Sequence, residues 1–496
     1  MKTPTHDVLI VTYYWPPGGG PGVQRYLKFT KYLPRFQVRP LVLTVSNPTY
    51  PIRDESLLDE VPPDLKVFRT RTVEPFSLYA GLQGKGAESV SPATELKGDS
   101  PLSRAGSWIR ANLFIPDARV GWVPGARRKA LEIVEEHGID TVITTGPPHS
   151  VHFVGRHLQK EAGTRWFADF RDPWSGIYYN QLLPRTTAAN HMDRKLENLV
   201  LSEADEVIVV SRSQAENFRK IHERGYRVIP NGFDPEDFPA SDAGQRAQNR
   251  PLLMRHIGTI GEAAIPETLL HLLKRHEKTL PIRLEFIGEV HRGLPRLIER
   301  LQLGHRVTFT PYLPHRQAVE KMCSADLLLL SLPDVPQIDH HLPGKLFEYL
   351  GSGRPILMLG PTEGEAATVL NQMNAGVAAP FRDSESIREA LEALIVQEAV
   401  QSETEESALP GSEEGVQPES EKTAPPDTEE STPPDTEETG QPDTAESAPP
   451  DTEETGQPDT VRKAPATGGA GYDRENHPYS RVKLTQELAR LIREQE

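Results

Sequence analysis

Three absences narrow the classes of protein that this 496-residue sequence can encode. Its one cysteine, Cys323, excludes an intramolecular disulfide framework and suits a reducing compartment. The sequence has no apolar run of about 18 residues, so we expect no transmembrane helix. Only Lys2 and His6 are basic before the first apolar run, which is not a signal-peptide pattern. We therefore expect a cytoplasmic protein.

A basic excess is missing as well. The formal net charge is −16, and residues 399–470 alone hold 19 acidic and three basic residues, which gives 3 − 19 = −16. The rest of the chain is therefore close to neutral. A nearly neutral folded part predicts no nucleic-acid partner.

The acidic segment is repetitive. From Pro425 an octad recurs as PPDTEEST, PPDTEETG, QPDTAESA and PPDTEETG, without aromatic residues. Such a sequence buries little apolar surface, so we predict a disordered acidic Pro/Thr/Glu repeat inserted at residues 399–470. Leu484, Leu488 and Leu491 then recur at helical spacing, which predicts a C-terminal helix within residues 471–496.

The remaining sequence alternates apolar runs of strand length with helical patterns. DVLIVT, RPLVLTV, DTVITT, RWFADF and DEVIVVS come before the turn-rich VIPNGFDPEDF, and LLMRHIG, LEFIG, VTFT, DLLLLS and RPILMLG follow it. Nearly continuous apolar strands separated by helices are typical of parallel sheets covered on both faces. We predict an α/β protein of two Rossmann-like domains that face a cleft, at residues 1–230 and 231–398.

A glycine-rich loop, YYWPPGGGPGVQRY (residues 13–26), connects the first strand to the first helix. Gly19, Gly20 and Gly22 would let backbone N–H groups and the helix N-terminus approach an anion. The spacing does not fit GxGxxG, because Val23 stands at the last glycine position, and hydride transfer is disfavoured. A tight structural turn is the alternative, but four glycines favour approach to a phosphate or a substrate.

A second candidate site is HHLPGKLFEYLGSGRPIL (residues 340–357). Pro343 and Gly344 mark the start of a short helix, on which Lys345 and Glu348 share a face. A lysine at a helix N-terminus suits a diphosphate, and a carboxylate one turn further can accept from both hydroxyls of a ribose. An exposed Lys–Glu pair is the alternative interpretation.

Polar residues also follow two strands of the first domain, in TTGPPHSVH and ADFRDPW. His149, Asp169, Arg171 and Asp172 should face the cleft, because ligands bind at the carboxyl ends of strands in open α/β sheets. An ion pair that braces a loop is the alternative for the charged residues. The histidines lack a third ligand at metal spacing, so we predict no metal site.

The motifs YYWPPGGGPGVQR, TTGPPHS, ADFRDPW, ADEVIVVS, VIPNGFD and PGKLFEYLGSGRPIL, in this order, resemble those of glycosyltransferase family 4. The resemblance covers about residues 7–395 and the terminal helix. It implies the GT-B architecture and a retaining, hexosyltransferase-type enzyme. Such an enzyme transfers a sugar from a nucleotide-sugar donor to a saccharide or lipid-linked acceptor in cell-surface polysaccharide or glycolipid biosynthesis. It also implies that the nucleotide sugar is a substrate and that no cofactor or metal ion is required.

The resemblance implies roles for particular residues. The glycine loop would approach the donor diphosphate, Lys345 and Arg25 would neutralise it, and Glu348 would hold the donor ribose. Gly258 would lie where the family has a glycine followed by an arginine. His149, Asp169, Arg171 and Asp172 would form the acceptor side of the catalytic site, with Asp169 and His149 orienting the acceptor. The terminal helix would pack back onto the N-terminal domain.

Two positions depart from the family pattern. His340 stands where the family has a second glutamate, and Thr259 replaces the arginine after Gly258. Because of these two replacements, the resemblance does not specify the donor sugar or the residues that would bind its phosphates. A nucleotide-sugar 2-epimerase of the same fold and a non-catalytic nucleotide-binding scaffold are therefore alternative hypotheses.

The segment at residues 102–133 mixes Trp108, Leu113, Phe114, Ile115 and Trp122 with basic residues. Two interpretations stand. One is peripheral association with the inner face of the plasma membrane, where a lipid-linked acceptor would lie. The other is ordinary packing within the first domain.

Overall fold

A computed structural model describes residues 6–48, 50, 53–72, 101–176, 184–239, 250–336, 338–340, 342–407 and 472–494. Two parallel β-sheets organise these residues, and helices lie on both faces of each sheet. This arrangement confirms the predicted α/β fold of two Rossmann-like domains. The predicted acidic repeat lies outside the described residues from position 408 onward.

In the described part of the chain, the first sheet has seven strands in the order β3-β2-β1-β4-β5-β6-β7. Its strands are β1 (His6–Thr12), β2 (Val38–Val45), β3 (Lys66–Thr70), β4 (Thr141–Gly146), β5 (Arg165–Phe170), β6 (Glu206–Val209) and β7 (Arg227–Val228). The helices that accompany it are α1 (Pro21–Tyr32), α2 (Pro101–Leu113), α3 (Val123–His137), α4 (His152–Ala162), α5 (Thr187–Glu203) and α6 (Arg212–Arg219).

The second sheet has six strands among the described residues, in the order β10-β9-β8-β11-β12-β13. They are β8 (Leu252–Ile257), β9 (Ile282–Ile287), β10 (Val307–Thr310), β11 (Leu327–Ser331), β12 (Ile356–Leu359) and β13 (Gly376–Ala379). Its helices are α7 (Glu267–Arg275), α8 (Gly293–Leu301), α9 (His315–Cys323), α10 (Gly344–Ser352), α11 (Glu365–Gln372) and α12 (Ser384–Ser407). The last helix, α13 (Arg481–Arg493), follows at the C-terminus.

Successive core residues of each central strand lie on opposite faces of the sheet. In β1, Val8 and Ile10 pack with α1, whereas Leu9 and Val11 pack with α3 and α4 on the opposite face. Successive side chains of a strand point to opposite faces, so a sheet covered on both sides needs apolar residues at every position. This requirement explains why DVLIVT is a continuous apolar run.

Helix α13 packs on the first sheet, although the second sheet precedes it in sequence. Leu484, Leu488 and Leu491 are buried in the cluster that contains Leu27 of α1. Burial of each leucine contributes about 1.5–3 kcal/mol. The leucine stripe of the terminal helix therefore holds the C-terminus against the N-terminal domain.

The structure adds three short strands to those expected from the sequence: β3, β7 and β13. Each is an edge strand and is partly exposed: β3 and β7 contain charged residues, and β13 consists of one glycine, one valine and two alanines. Helix α12 also continues to Ser407, past the predicted start of the disordered insertion at residue 399. The segment from Ala399 to Ser407 contains good helix formers and no proline. The domain limits at residues 230 and 398 remain predictions.

Within the described ranges, no helix is both long and apolar enough to span a bilayer.

Candidate functional site

A cavity of about 350 Å³ lies between the two sheets, and we call it the cleft cavity. Its wall combines the start of α1, the segment after β7, the ends of β8 and β9, and the starts of α9, α10 and α13. The glycines of the wall are Gly20, Gly232, Gly258, Gly288 and Gly344. Its polar side chains are Gln24, Lys28, Asp54, Asn231, Asp234, Asp237, Thr259, Tyr312, His315, Lys345, Glu348 and Arg481.

Helix α1 begins at the cleft cavity. Gly20 precedes the helix with φ 91°, and Pro21 occupies the first turn, where its missing N–H costs nothing. A Cβ at Gly20 would have no neighbour within 4 Å, so the left-handed backbone and not crowding requires glycine there. The helix N-terminus with its partial positive charge therefore opens on the cavity, as predicted for an anion site.

At Gly22, glycine is required for a different reason, which is the close approach of a neighbouring side chain. A Cβ there would lie 2.6 Å from Nη1 of Arg171, and this guanidinium donates to the carbonyl of Gly22. Arg171 also donates through Nε to the carbonyl of Gly146 at 3.1 Å and through Nη2 to that of Pro147. Arg171 thus ties the glycine loop to the end of β4. Gly19 is partly buried in the same loop and is not part of the cavity wall.

Lys345 lies on the first turn of α10, directly over Gly258. A Cβ at Gly258, which has φ 116°, would stand 2.4 Å from Cε of Lys345. Nζ of Lys345 donates to the carbonyl of Thr259 at 3.2 Å and lies 3.4 Å from Nε2 of His256. Burial lowers the pKa of Lys345 to about 8, although Glu348 opposes this shift. A bound anion would stabilise the ammonium form of this lysine.

Glu348 lies one turn further along α10, and 31 % of its side chain is exposed to the cavity. Burial raises the pKa of its carboxyl, while the charges of His315, Arg481 and Lys345 act in the opposite direction. Its Oε1 is 3.9 Å from Nδ1 of His315. The structure therefore brings Lys345, Glu348 and Gly258 together, as the resemblance implied.

Lys28 and two aspartates connect the domains beside this site. Nζ of Lys28 lies 2.9 Å from Oδ2 of Asp234, 2.6 Å from Oδ1 of Asp237 and 2.6 Å from Oε2 of Glu60. The lysine side chain is 2 % exposed, and the three carboxylates raise its pKa despite burial. Lys28 is therefore held as a cation in a structural cluster, and its charge is already neutralised.

Arg25 and Asp169 lie outside the cleft cavity. Nη2 of Arg25 donates to Oδ1 of Asp169 at 2.9 Å, and both side chains are 0 % exposed. Arg25 also donates to the carbonyls of Ile229 and Pro230, and Asp169 accepts from Thr145. The expected diphosphate role of Arg25 and acceptor role of Asp169 do not match this placement. The ion pair braces the domain, which was the alternative interpretation.

His149 is also enclosed. Its ring stacks on Trp174 with centroids 4.9 Å apart and an interplanar angle of 5°. Burial lowers its pKa to about 3, assisted by the charge of Arg171. A neutral, 7 % exposed imidazole packed between aromatic rings is placed for stability and not for contact with an acceptor. Asp172 is partly buried and interacts electrostatically with Arg171.

The two departures from the family pattern have visible consequences. Thr259 is exposed, and its carbonyl, not its side chain, contacts Lys345. His340 lies 3.7 Å from the carboxylate of Asp339, and its side chain is 47 % exposed. Lys345 is the cation placed directly against Gly258, the residue that follows β8.

Sequence reasoning missed Lys28, Asp234, Asp237, His315 and Arg481. Asp234 and Asp237 lie in the NGFDPEDF turn, and a proline precedes His315 at the start of a helix, so weak local signals existed. Arg481 begins α13 and is 4 % exposed, and among the described residues its Nη1 has no hydrogen-bond partner. No local pattern predicts that position, because it follows from the docking of α13.

A larger, open hollow of about 710 Å³ lies beside α7 and α8 of the second domain. Two of its arginines are paired: Arg300 with Glu267 at 3.4 Å, and Arg382 with Asp334 at 2.7 Å. The residues of its wall come from the second domain alone. We place the functional site in the cleft cavity, because residues of both domains meet there. In the described ranges, no group of three metal-binding side chains is found.

Comparisons with solved structures support this architecture. Sucrose-phosphate synthase from Thermosynechococcus elongatus superposes with a TM-score of 0.53 at 15 % identity, over 79 % of this chain and 90 % of that chain. A glycosyltransferase from Rickettsia africae gives 0.52 at 13 %, over 79 % and 88 %. Anabaena HepE in complex with UDP gives 0.51 at 16 %, over 80 % and 91 %. The fold is that of the GT-B glycosyltransferases.

A more particular assignment comes from the sequence. Residues 76–237 match the family model described as Glycosyltransferase Family 4. No curated protein matches the chain. The resemblance inferred from the six motifs is confirmed.

Proposed function

We propose that this protein is a retaining glycosyltransferase of the hexosyltransferase type. It transfers a sugar from a nucleotide-sugar donor to an acceptor hydroxyl in cell-surface polysaccharide or glycolipid assembly. The observation that carries the proposal is the placement of Lys345 on the first turn of α10 and of Glu348 one turn further, where both face the cleft cavity beside Gly258.

The chemistry of this pair suits a nucleoside diphosphate. Nζ of Lys345 contacts a carbonyl and an imidazole, and among the described residues no carboxylate lies within ion-pair distance of it. It can therefore bind a diphosphate without first breaking an internal ion pair. Glu348 is one turn away and partly exposed, so its two oxygens can accept from the two hydroxyls of a ribose.

Two further observations support the proposal. The helix N-termini at Gly20 and Gly344 both open on the cavity, and backbone N–H groups at such positions bind phosphate oxygens. Anabaena HepE, which has the same fold, was crystallised with UDP. We propose that protein groups supply the positive charge in this chain, with the nucleotide sugar as substrate and no cofactor or metal ion.

The proposed reaction retains the configuration at the anomeric carbon. The bond between this carbon and the diphosphate oxygen breaks through an oxocarbenium-like state. The acceptor oxygen bonds to the same face, and its proton goes to the departing diphosphate. Lys345 and the helix N-termini stabilise the negative charge that develops on the leaving group.

The test is ligand binding followed by turnover. UDP, GDP, ADP, TDP and their hexose conjugates are screened by thermal shift against the wild type, Glu348→Gln and Lys345→Met. A nucleotide at about 100 times its Kd should stabilise the wild type by roughly 2.7 kcal/mol. Both variants should lose most of this shift. Glu299→Gln and Lys278→Met, which change exposed residues outside the cavity wall, should keep it.

The remaining outcomes separate the alternatives. Donor turnover that needs a saccharide acceptor, with an α-linked product from an α-linked donor, supports a retaining transferase. Conversion of the nucleotide sugar without any acceptor would indicate an epimerase. Binding without turnover would indicate a non-catalytic scaffold. If no nucleotide shifts the wild type, the proposal is wrong.

We also propose that the protein associates peripherally with a membrane. The segment at residues 102–133 divides into two parts: Trp122 is 1 % exposed and packs in the core, whereas Trp108, Ile109 and Leu113 of α2 are 47 %, 44 % and 67 % exposed. Met192 of the neighbouring α5 is 48 % exposed. Exposed basic residues accompany these apolar side chains: Arg104, Arg194 and Lys195. Apolar side chains beside cations suit an anionic bilayer surface.

A further inference from the structure

A chain of charged contacts links the two domains through His315, the first residue of α9. Nε2 of His315 lies 3.1 Å from Oδ2 of Asp237, and Nδ1 lies 3.9 Å from Oε1 of Glu348. The other oxygen of Asp237 is 2.6 Å from Nζ of Lys28 on α1. The order of contacts is therefore Lys28, Asp237, His315 and Glu348.

The four side chains come from different parts of the chain. Lys28 lies two turns into α1, and Asp237 ends the short helical turn Pro235–Asp237 after β7. His315 and Glu348 belong to α9 and α10 of the second domain. All four line the cleft cavity. The contacts thus connect the carboxylate on α10 to the helix that carries the glycine loop.

The imidazole is held as a cation by its neighbours. Burial alone would lower the pKa of His315, and Lys28 acts in the same direction. The hydrogen bond to Asp237 and the charges of Glu348 and Asp237 outweigh both effects and raise the pKa to about 9. At neutral pH both ring nitrogens therefore carry protons, one directed to each carboxylate.

A cationic neighbour favours the ionised form of Glu348. Burial favours its neutral form, and Asp237 also raises its pKa, whereas His315 is the strongest of the groups that lower it. An ionised carboxylate offers two acceptor oxygens, but a protonated carboxyl uses one of them as a donor. At 3.9 Å the contact is too long for a hydrogen bond, so His315 acts on Glu348 through its charge.

We propose that His315 is a positioning residue for Glu348. It keeps this carboxylate ionised and turned toward the donor ribose, and Asp237 and Lys28 anchor it to the first domain. This inference rests on the proposed function, since it assigns a ribose to Glu348.

The test distinguishes a loss of ribose recognition from a general loss of nucleotide binding. For the nucleoside diphosphate that the wild type binds best among UDP, GDP, ADP and TDP, Kd is measured by calorimetry with that nucleotide and with its 2′,3′-dideoxy analogue. The proteins are wild type, His315→Gln, Glu348→Gln and the double variant. His315→Gln should weaken the nucleotide about 5- to 20-fold and the dideoxy analogue less than twofold. In the Glu348→Gln background, His315→Gln should have no further effect.

Two further variants guard against a folding defect. His315→Lys keeps a cation beside both carboxylates and should retain most of the affinity. His305→Gln removes an exposed histidine that lies 2.5 Å from Glu277 outside the cavity, and it should bind like the wild type. Unchanged melting temperatures for these variants confirm that the comparison concerns binding.

Other results would overturn the role of His315. Equal weakening of the nucleotide and the dideoxy analogue, or additive effects in the double variant, would mean that His315 acts independently of Glu348. If Glu348→Gln weakens binding and His315→Gln does not, the positioning role is wrong and the proposed function stands. If the wild type binds none of the four nucleotides, the proposed function fails and this role fails with it.

Discussion

Arg25 and Asp169 form a fully enclosed ion pair, with 2.9 Å between Nη2 and Oδ1 and no exposed surface on either side chain. Removal of one member of a buried pair leaves the other charge without compensation. The guanidinium also donates to two backbone carbonyls near the end of the first domain, so the pair holds the segment that leads into the second domain.

Asp169→Asn should therefore destabilise the fold. We expect the free energy of unfolding in urea to fall by about 3–5 kcal/mol, because the charge of Arg25 stays buried without its partner. Glu55→Gln breaks an exposed pair with Arg53 and should cost about 0–1 kcal/mol. A variant with wild-type stability and abolished transfer would instead place Asp169 in the catalytic machinery.

His149 should make the protein sensitive to acid. Its pKa is about 3 in the folded protein and about 6.5 when unfolded, so between these values only the unfolded chain binds the proton. The contribution of His149 to the free energy of unfolding is complete above the unfolded pKa. It decreases by about 1.4 kcal/mol per pH unit as the pH drops below that value. His149→Phe, which preserves the stacking on Trp174, should remove this part of the slope in urea titrations between pH 4 and 6. An unchanged slope would mean that His149 is protonated in the folded state.

Lys345 should make donor binding depend on pH. Burial lowers its pKa to about 8, so the free site loses its ammonium group as pH rises through this value. The affinity for a nucleoside diphosphate should therefore fall up to tenfold per pH unit above about 8. Lys345→Arg should bind without this dependence, and Lys345→Met should bind weakly at every pH. Calorimetry between pH 7 and 9 measures all three. A flat wild-type profile would contradict the assignment.

The exposed side chains of α2 should control membrane binding. Replacement of Trp108 by Ala together with Leu113 by Ser should reduce cosedimentation with phosphatidylglycerol-containing vesicles tenfold or more, since each buried apolar side chain contributes about 1.5–3 kcal/mol. Ile221→Ser changes a residue of similar exposure (40 %) outside α2 and α5, and it should bind like the wild type. Equal binding of the double variant and the wild type would exclude this surface.

The strands and the site on α10 were predictable because their signals are local. Continuous apolar runs indicate strands buried on both faces, and Pro343 followed by glycine indicates a helix start that places Lys345 and Glu348 on one face. The edge strand β3 was not predicted, because Lys66 and Arg69 interrupt its apolar pattern where solvent is accessible. Local patterns therefore indicated the candidate site on α10 but not the charged residues that surround it.

The amino-acid sequence by itself determined the order of the central strands, the glycine that precedes α1 and the shared face of Lys345 and Glu348 on α10, because each depends on residues only a few positions apart. Only the tertiary structure decided that Arg25 is neutralised by Asp169, and that His315 lies between Asp237 and Glu348. These residues are far apart in the chain. Their charges meet only in the tertiary structure, where the packing of the sheets and helices brings distant parts of the chain together.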